Sequence, residues 1–137
     1  MKLGFTTYQL PQNLNFEESI RLAKKTGCAG IDFRTGNVFK HGVEVSLSPE
    51  ERRQMRRMLE DNYLELASIN SEYSFDNPDE NERRKSIEGA KQCCLLASDF
   101  GSRLVRLFGN IIRTDDAHET VKYVSDAIRE VCDNAAT

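Results

Sequence analysis

Apolar residues recur along this chain in two alternating rhythms. Short runs dense in strand-forming residues, near 3–8, 30–34, 64–70 and 103–108, each give way to a longer stretch in which apolar positions return at helical spacing. The first run ends in the turn-like PQNLN and reads as a strand entering a loop. Asn15 and Glu18 then have the spacing of a capping box, Phe16, Ile20 and Ala23 share one helical face, and Gly27 stands where a left-handed C-cap belongs. After the second strand comes TGNVFKHGVEVS, longer than most connections in compact domains. Ser48-Pro49-Glu50-Glu51 combines an N-cap, a proline at the first helical position and a capping-box glutamate, opening a helix through Met55, Met58 and Leu59 that Asn62 can close.

The third strand, carrying Leu64, Leu66, Ala67 and Ile69, leads into the polar loop NSEYSFDNPDEN. A helix begins near Asp79, repeats Ile87, Ala90, Cys94 and Ala97 at steps of three and four, and stops at Gly101. After the fourth strand and the loop GNIIRTDDA, the residues Val121, Val124, Ile128 and Val131 form the last amphipathic stripe. The order is βαβαβαβα without a hairpin signal, which predicts an α/β domain of parallel strands joined by right-handed helical crossovers. Residues 1–137 read as a single domain. A doubly wound nucleotide-binding sheet would place a glycine-rich phosphate turn after its first strand, whereas TTYQLPQN has no glycine. A complete (β/α)8 barrel takes about 250 residues, so four consecutive βα units predict the first half of a TIM barrel.

A net charge of -3 leaves no electrostatic footprint for a polyanion, so nucleic acid is not expected as a partner. The run Arg52, Arg53, Arg56, Arg57 is flanked by Glu50, Glu51, Glu60 and Asp61 on its own helix and reads as a solvated face. Cys28, Cys93, Cys94 and Cys132 lack zinc half-site spacing and read as reduced core thiols of a cytoplasmic protein. The N-terminus MKLGFTTYQL has no signal-peptide pattern and no segment approaches membrane-spanning length, so no membrane association is expected.

Ligands of parallel α/β folds sit beyond the C-terminal strand ends. The polar residues there are Thr6, Thr7 and Gln9; Asp32, Arg34 and His41; Asn70, Ser71 and Glu72; and Arg106 and Asn110. Arg106 interrupts the apolar strand LVRLF, where a charge is costly unless it faces a wet cavity or a carboxylate. Two readings stand: a contact to a ligand phosphate or carboxylate, and a structural pair with Asp32 or Glu72. Asp32 reads first as an inward ion-pair partner and second as a catalytic carboxylate. His41 reads as an exposed loop histidine or a ligand contact, His118 as exposed on the last helix, and Asn70 as a sugar-hydroxyl contact or a turn residue.

Taken together, LAKKTGCAGIDFRTG, HGVE, SPEERRQMRRMLEDNYLELASINS and FGSRLVRLFGN resemble the N-terminal half of the xylose isomerase-like TIM barrels, the sugar phosphate isomerase/epimerase group. The resemblance spans the whole chain. It implies enzymes that hold a divalent metal such as manganese or magnesium with carboxylates and a histidine, and move a proton at the carbon beside a sugar carbonyl. In that family these groups come chiefly from strands five, six and eight, so the resemblance implies no catalytic residue, no metal site and no cofactor in this chain. What carries over is the first-half lining: Arg34, His41, Asn70 and Arg106 as substrate contacts.

The expected function is therefore the first half of a sugar (phosphate) isomerase or epimerase, inactive by itself. A different class is a non-catalytic half-barrel that self-associates and binds a small polar ligand, such as a sugar or sugar phosphate. A third is a fragment of a metal-dependent DNA-repair endonuclease, which shares the superfamily fold. A half-barrel would leave strands one and four as open edges and expose an apolar inner face, which predicts a homodimer closing an eight-stranded, two-fold symmetric barrel.

Overall fold

The computed structural model describes residues 1–112 and 115–136; residues 113 and 114 of the predicted GNIIRTDDA loop, and residue 137, lie outside them. Strands β1 (Gly4–Thr6), β2 (Gly30–Arg34), β3 (Glu65–Ser74) and β4 (Val105–Phe108) alternate with helices α1 (Phe16–Thr26), α2 (Pro49–Asp61), α3 (Glu80–Asp99) and α4 (Ala117–Ala135). All strand pairs are parallel and the sheet runs in chain order, β1-β2-β3-β4. A doubly wound sheet would reverse direction at a switch point. Continuous order without reversal is that of the first four βα units of a TIM barrel.

The helix starts obey local chemistry. Asn15 and Glu18 cap α1 reciprocally, as Ser48 and Glu51 cap α2, and Gly27 closes α1 at φ 70°. Asp79 accepts from the amides of Asn81 and Glu82 at the start of α3. Two strand limits differ from the hydrophobic pattern. β1 ends at Thr6 rather than Tyr8, because the Thr6 hydroxyl accepts the Tyr8 amide at 3.3 Å and caps a 3₁₀ turn over Thr7–Gln9. β3 continues to Ser74, past the expected end at Asn70, and pairs again with β4 at Ser74 and Phe108 after a register shift. Alternation persists there: Tyr73 packs on Gly89 of α3 and Phe75 is fully buried.

The core lies between sheet and helices. Phe16, Ile20 and Ala23 of α1 meet Ile31 and Phe33 of β2, Ile69 of β3, Leu59 of α2 and Leu96 of α3. A second cluster joins Phe75, Ile87 and Ala90 to Ala127 and Val131 of α4. Val121, expected in the α4 stripe, is 47% exposed, and Thr120 is buried instead. Thr120 tolerates burial because its hydroxyl lies 2.9 Å from an Asp116 carboxylate oxygen and 3.0 Å from the Tyr123 hydroxyl. The cysteines divide: Cys93 is buried, Cys28 and Cys94 are half-buried, and Cys132 is exposed rather than a core thiol.

The inner face of the sheet is polar except at Phe108, whose ring meets both arginines, and Leu104, two residues before Arg106. With alternate residues Phe5, Ile31, Phe33, Ile69 and Val105 in the core, the opposite set consists of Thr6, Asp32 and Ser68, then Arg34, Asn70 and Arg106. The exposed apolar groups at the edges are Leu3 and Leu104, where β1 and β4 begin. Among the described residues no helix is long and apolar enough to cross a membrane.

Candidate functional site

Strand register builds the site as two rows. In the lower row Thr6 pairs with Asp32, and Asp32 with Ser68 across a β-bulge. Thr6 Oγ1 donates to Asp32 Oδ1 at 2.7 Å, and the Ser68 hydroxyl donates to Oδ2. The sequence reading of Asp32 as an ion-pair partner is thereby corrected. Register sets hydroxyls beside this carboxylate and leaves the arginines one row further along the strands.

The upper row runs Arg34, Asn70, Arg106. Arg34 Nη1 donates to Asn70 Oδ1 at 3.1 Å and to the Ser71 carbonyl, while its guanidinium lies 5.4 Å from the Tyr8 ring centroid and 5.1 Å from that of Phe108. Arg106 is exposed and stacks over the same Phe108 ring at 4.3 Å. Among the described residues neither arginine lies within 4.0 Å of a carboxylate, so the expected structural pairs of Arg106 with Asp32 or Glu72 are not formed. Asn70 is 1% exposed and its carbonyl oxygen is committed to Arg34. It lies beneath the arginine side chains rather than open to solvent.

The long loop after β2 folds back onto this end of the sheet. His41, read from the sequence as an exposed loop histidine or a ligand contact, is buried and packs edge-on against Phe33 at 4.9 Å and parallel to Phe39 at 5.5 Å. Its Nδ1 accepts the Val43 amide at 3.1 Å, which assigns the proton of the neutral ring to Nε2, 3.4 Å from Thr7 Oγ1. Thr7 Oγ1 in turn accepts the Arg34 amide at 2.9 Å. Burial pushes the His41 pKa down to about 4, against a smaller opposing effect from a hydrogen bond to the Arg34 backbone. The imidazole is thus neutral at pH 7 and braces the end of β2.

Glu44 closes the same loop by accepting the Gly36 amide at 2.9 and 3.2 Å through its two oxygens. Burial raises its pKa, and the nearby Glu72 carboxylate adds to the rise. Gly36 has φ 130°, and a Cβ there would stand 3.3 Å from Glu72 Oε2, so the position calls for glycine. Behind the sheet, burial pushes the Cys93 thiol up to about 12 despite hydrogen bonds with Ser71 and Thr35, leaving it a poor nucleophile.

The site therefore gathers Arg34, Asn70 and Arg106 in one row, with His41 behind it as a brace. His118 is exposed on α4, and Asn110 is spent on the Asp76 carboxylate, both of whose oxygens accept its amide at 3.2 Å. Sequence reasoning missed Tyr8 and Phe108, the aromatic floor of the arginines, and Glu44. The available signals were aromatics at the ends of two strands and the glutamate in HGVE. Among the described residues no group of three or more His, Cys, Asp or Glu side chains is placed to hold a metal ion. These described residues do not fit the divalent metal that the family resemblance implies.

Comparison with known proteins agrees with this architecture. A sequence profile of the family described as xylose isomerase-like TIM barrel matches residues 20–137. The Haemophilus influenzae protein SgbU, provisionally named an L-ribulose-5-phosphate 3-epimerase, is 23% identical over 132 residues, covering 93% of this chain and 46% of its own length. The D-psicose 3-epimerase of Clostridium cellulolyticum H10, solved with D-tagatose, superposes with TM-score 0.76 at 14% identity, covering 99% of this chain and 49% of that one. The IOLI protein, solved with a zinc atom, gives TM-score 0.77 at 21% identity, covering 98% and 48%. The chain spans about half the length of these relatives.

Proposed function

This chain belongs to the xylose isomerase-like TIM barrel family, and from that premise we propose that it supplies the substrate-binding wall of a sugar isomerase or epimerase barrel. The observation that carries this reading is the polar inner face: two consecutive rows, Thr6–Asp32–Ser68 and Arg34–Asn70–Arg106, on the side of the sheet that a barrel encloses. An inert barrel centre is filled with branched apolar side chains. Here the strand ends carry hydroxyl, amide and guanidinium groups suited to a polyhydroxylated ligand.

Within this reading Arg34 and Arg106 contact the substrate, while Asn70 and His41 act through Arg34. Asn70 holds the guanidinium, and His41 reaches the Arg34 amide by way of Thr7. The chain alone binds a ketose weakly and does not turn it over, since no described residue combination supplies an acid/base pair around a metal. Amide chemical-shift mapping with D-ribulose and D-psicose tests the binding, with shifts expected at residues 34, 70 and 106. An epimerase assay of the same sample with added manganese tests the rest; turnover, or shifts remote from both rows, would overturn the proposal.

A second reading, self-association, is favoured by the two unpaired edges β1 and β4, where Leu3 and Leu104 are 62% and 65% exposed. Pairing β1 of one copy with β4 of another would cover both. Light scattering over a wide concentration range decides this: a dimer supports it, and a monomer throughout rules it out.

A further inference from the structure

We propose that Arg34 and Arg106 form an oxyanion-binding cradle, which deepens the sugar-binding reading by requiring a charged group, a phosphate or a carboxylate, on the ligand. The case rests on charge and on unspent donors. The two guanidiniums lie at 5.1 and 4.3 Å from one Phe108 ring centroid, which places the two like charges no more than about 9.4 Å apart. Neither meets a carboxylate among the described residues.

Both Asp32 oxygens accept hydroxyls, and the exposed Glu72 carboxylate forms no ion pair with either arginine among the described residues. In this protein the surface arginines Arg52, Arg53, Arg56, Arg84 and Arg129 do find acidic partners. Arg21, Arg57, Arg83 and Arg103 also make no ion pair among the described residues; what sets Arg34 and Arg106 apart is that both lie on the ring of Phe108.

A guanidinium carries five N–H donors. Arg34 uses only Nη1 on the protein, and no described residue accepts from Nε or Nη2. No described residue accepts from Arg106. The Phe108 ring meets both forks by cation-π contact without consuming a donor, leaving the donors for an anion with several oxygens. Arg34 is the anchored member, fixed by Asn70, Ser71 and the ring of Tyr8. Arg106 is the exposed member that can close over the ligand. Charge-assisted hydrogen bonds of this kind are worth roughly 1.5–3 kcal/mol each, so losing one arginine weakens binding roughly ten- to a hundredfold.

Calorimetry with inorganic phosphate, ribose 5-phosphate, ribonate and ribose, on the wild type and on Arg106→Met and Arg106→Lys, tests this. Arg106 is exposed, so neither variant threatens the fold. Expected are saturable phosphate binding, a roughly tenfold or greater loss in Arg106→Met, and partial retention in Arg106→Lys, which keeps the charge without the fork. Tighter ribose 5-phosphate than ribonate assigns the phosphate, and the reverse assigns the carboxylate. Phosphate and ribonate that both fail to bind, or binding unchanged in Arg106→Met, overturns the cradle. If ribose binds as well as ribose 5-phosphate, the cradle fails while the sugar-binding reading survives. If phosphate binds as well as ribose 5-phosphate and ribose does not bind, the cradle stands and the sugar-binding reading fails.

Discussion

The hydroxyl of Thr7, just past β1, stands 3.4 Å from Nε2 of His41 in the loop after β2, and the same hydroxyl accepts the backbone amide of Arg34. One buried contact thus ties the first strand, the end of the second and the long loop into a single support for Arg34. Because the imidazole is neutral, this support is sensitive to acid.

Burial lowers the His41 pKa from 6.5 to about 4. Above pH 6.5 neither folded nor unfolded chain is protonated there, and the packing contributes fully. Between pH 6.5 and 4 the unfolded chain takes up a proton that the folded chain refuses, so stability falls as pH falls. At about 1.4 kcal/mol per pKa unit, the loss reaches about 3 kcal/mol by pH 4. Urea unfolding from pH 7.5 to 4 measures it; His41→Asn, which can still accept the Val43 amide, is expected to flatten that slope. An equal slope in the variant would assign the acid sensitivity to other groups.

Asp32 serves as acceptor for two hydroxyls from neighbouring strands. Replacing it with alanine leaves both half-buried hydroxyls without their acceptor and is expected to cost about 1–3 kcal/mol. Asn is expected to cost less, since its one oxygen still accepts from Thr6 or Ser68. Chemical denaturation of the two variants should rank them in that order.

The Tyr73 ring lies against α3 where Gly89 leaves room: a Cβ at Gly89 would come within 2.2 Å of the ring. Gly89→Ala is therefore expected to destabilise by about 1–3 kcal/mol through overpacking, although alanine favours helix intrinsically. In the background of Tyr73→Ala the same change should become neutral or stabilising. A double-mutant cycle reads this coupling, and additive effects would contradict the contact.

Tyr63 follows α2 at φ 57°, a left-handed conformation that costs an L-residue roughly 1–2 kcal/mol, and its side chain is 93% exposed. Tyr63→Gly removes that cost and keeps the amide that bonds to the Glu60 carbonyl at 2.9 Å. After the extra unfolded-state entropy of glycine, a gain of about 0.5–1 kcal/mol is expected, visible as a raised Tm.

Much of this molecule is legible in one dimension because its elements are specified by neighbouring residues. The caps at Asn15, Ser48 and Asp79, the left-handed stop at Gly27, and the stripe Phe16, Ile20, Ala23 depend on interactions a few residues long, so the sequence alone determined the βαβαβαβα order and the half-barrel class. It also placed Arg34, Asn70 and Arg106 at strand ends. What those residues do there depended on partners far along the chain. The β2–β3 bulge and the register of β3 with β4 put Asp32 beside Thr6 and Ser68, set Arg106 on Phe108, and kept Arg106 from the acids assigned to it. The burial of His41 likewise required the loop to fold over Phe33. Local spacing encodes caps and faces, whereas register and loop closure are decided by packing between segments that meet only in three dimensions.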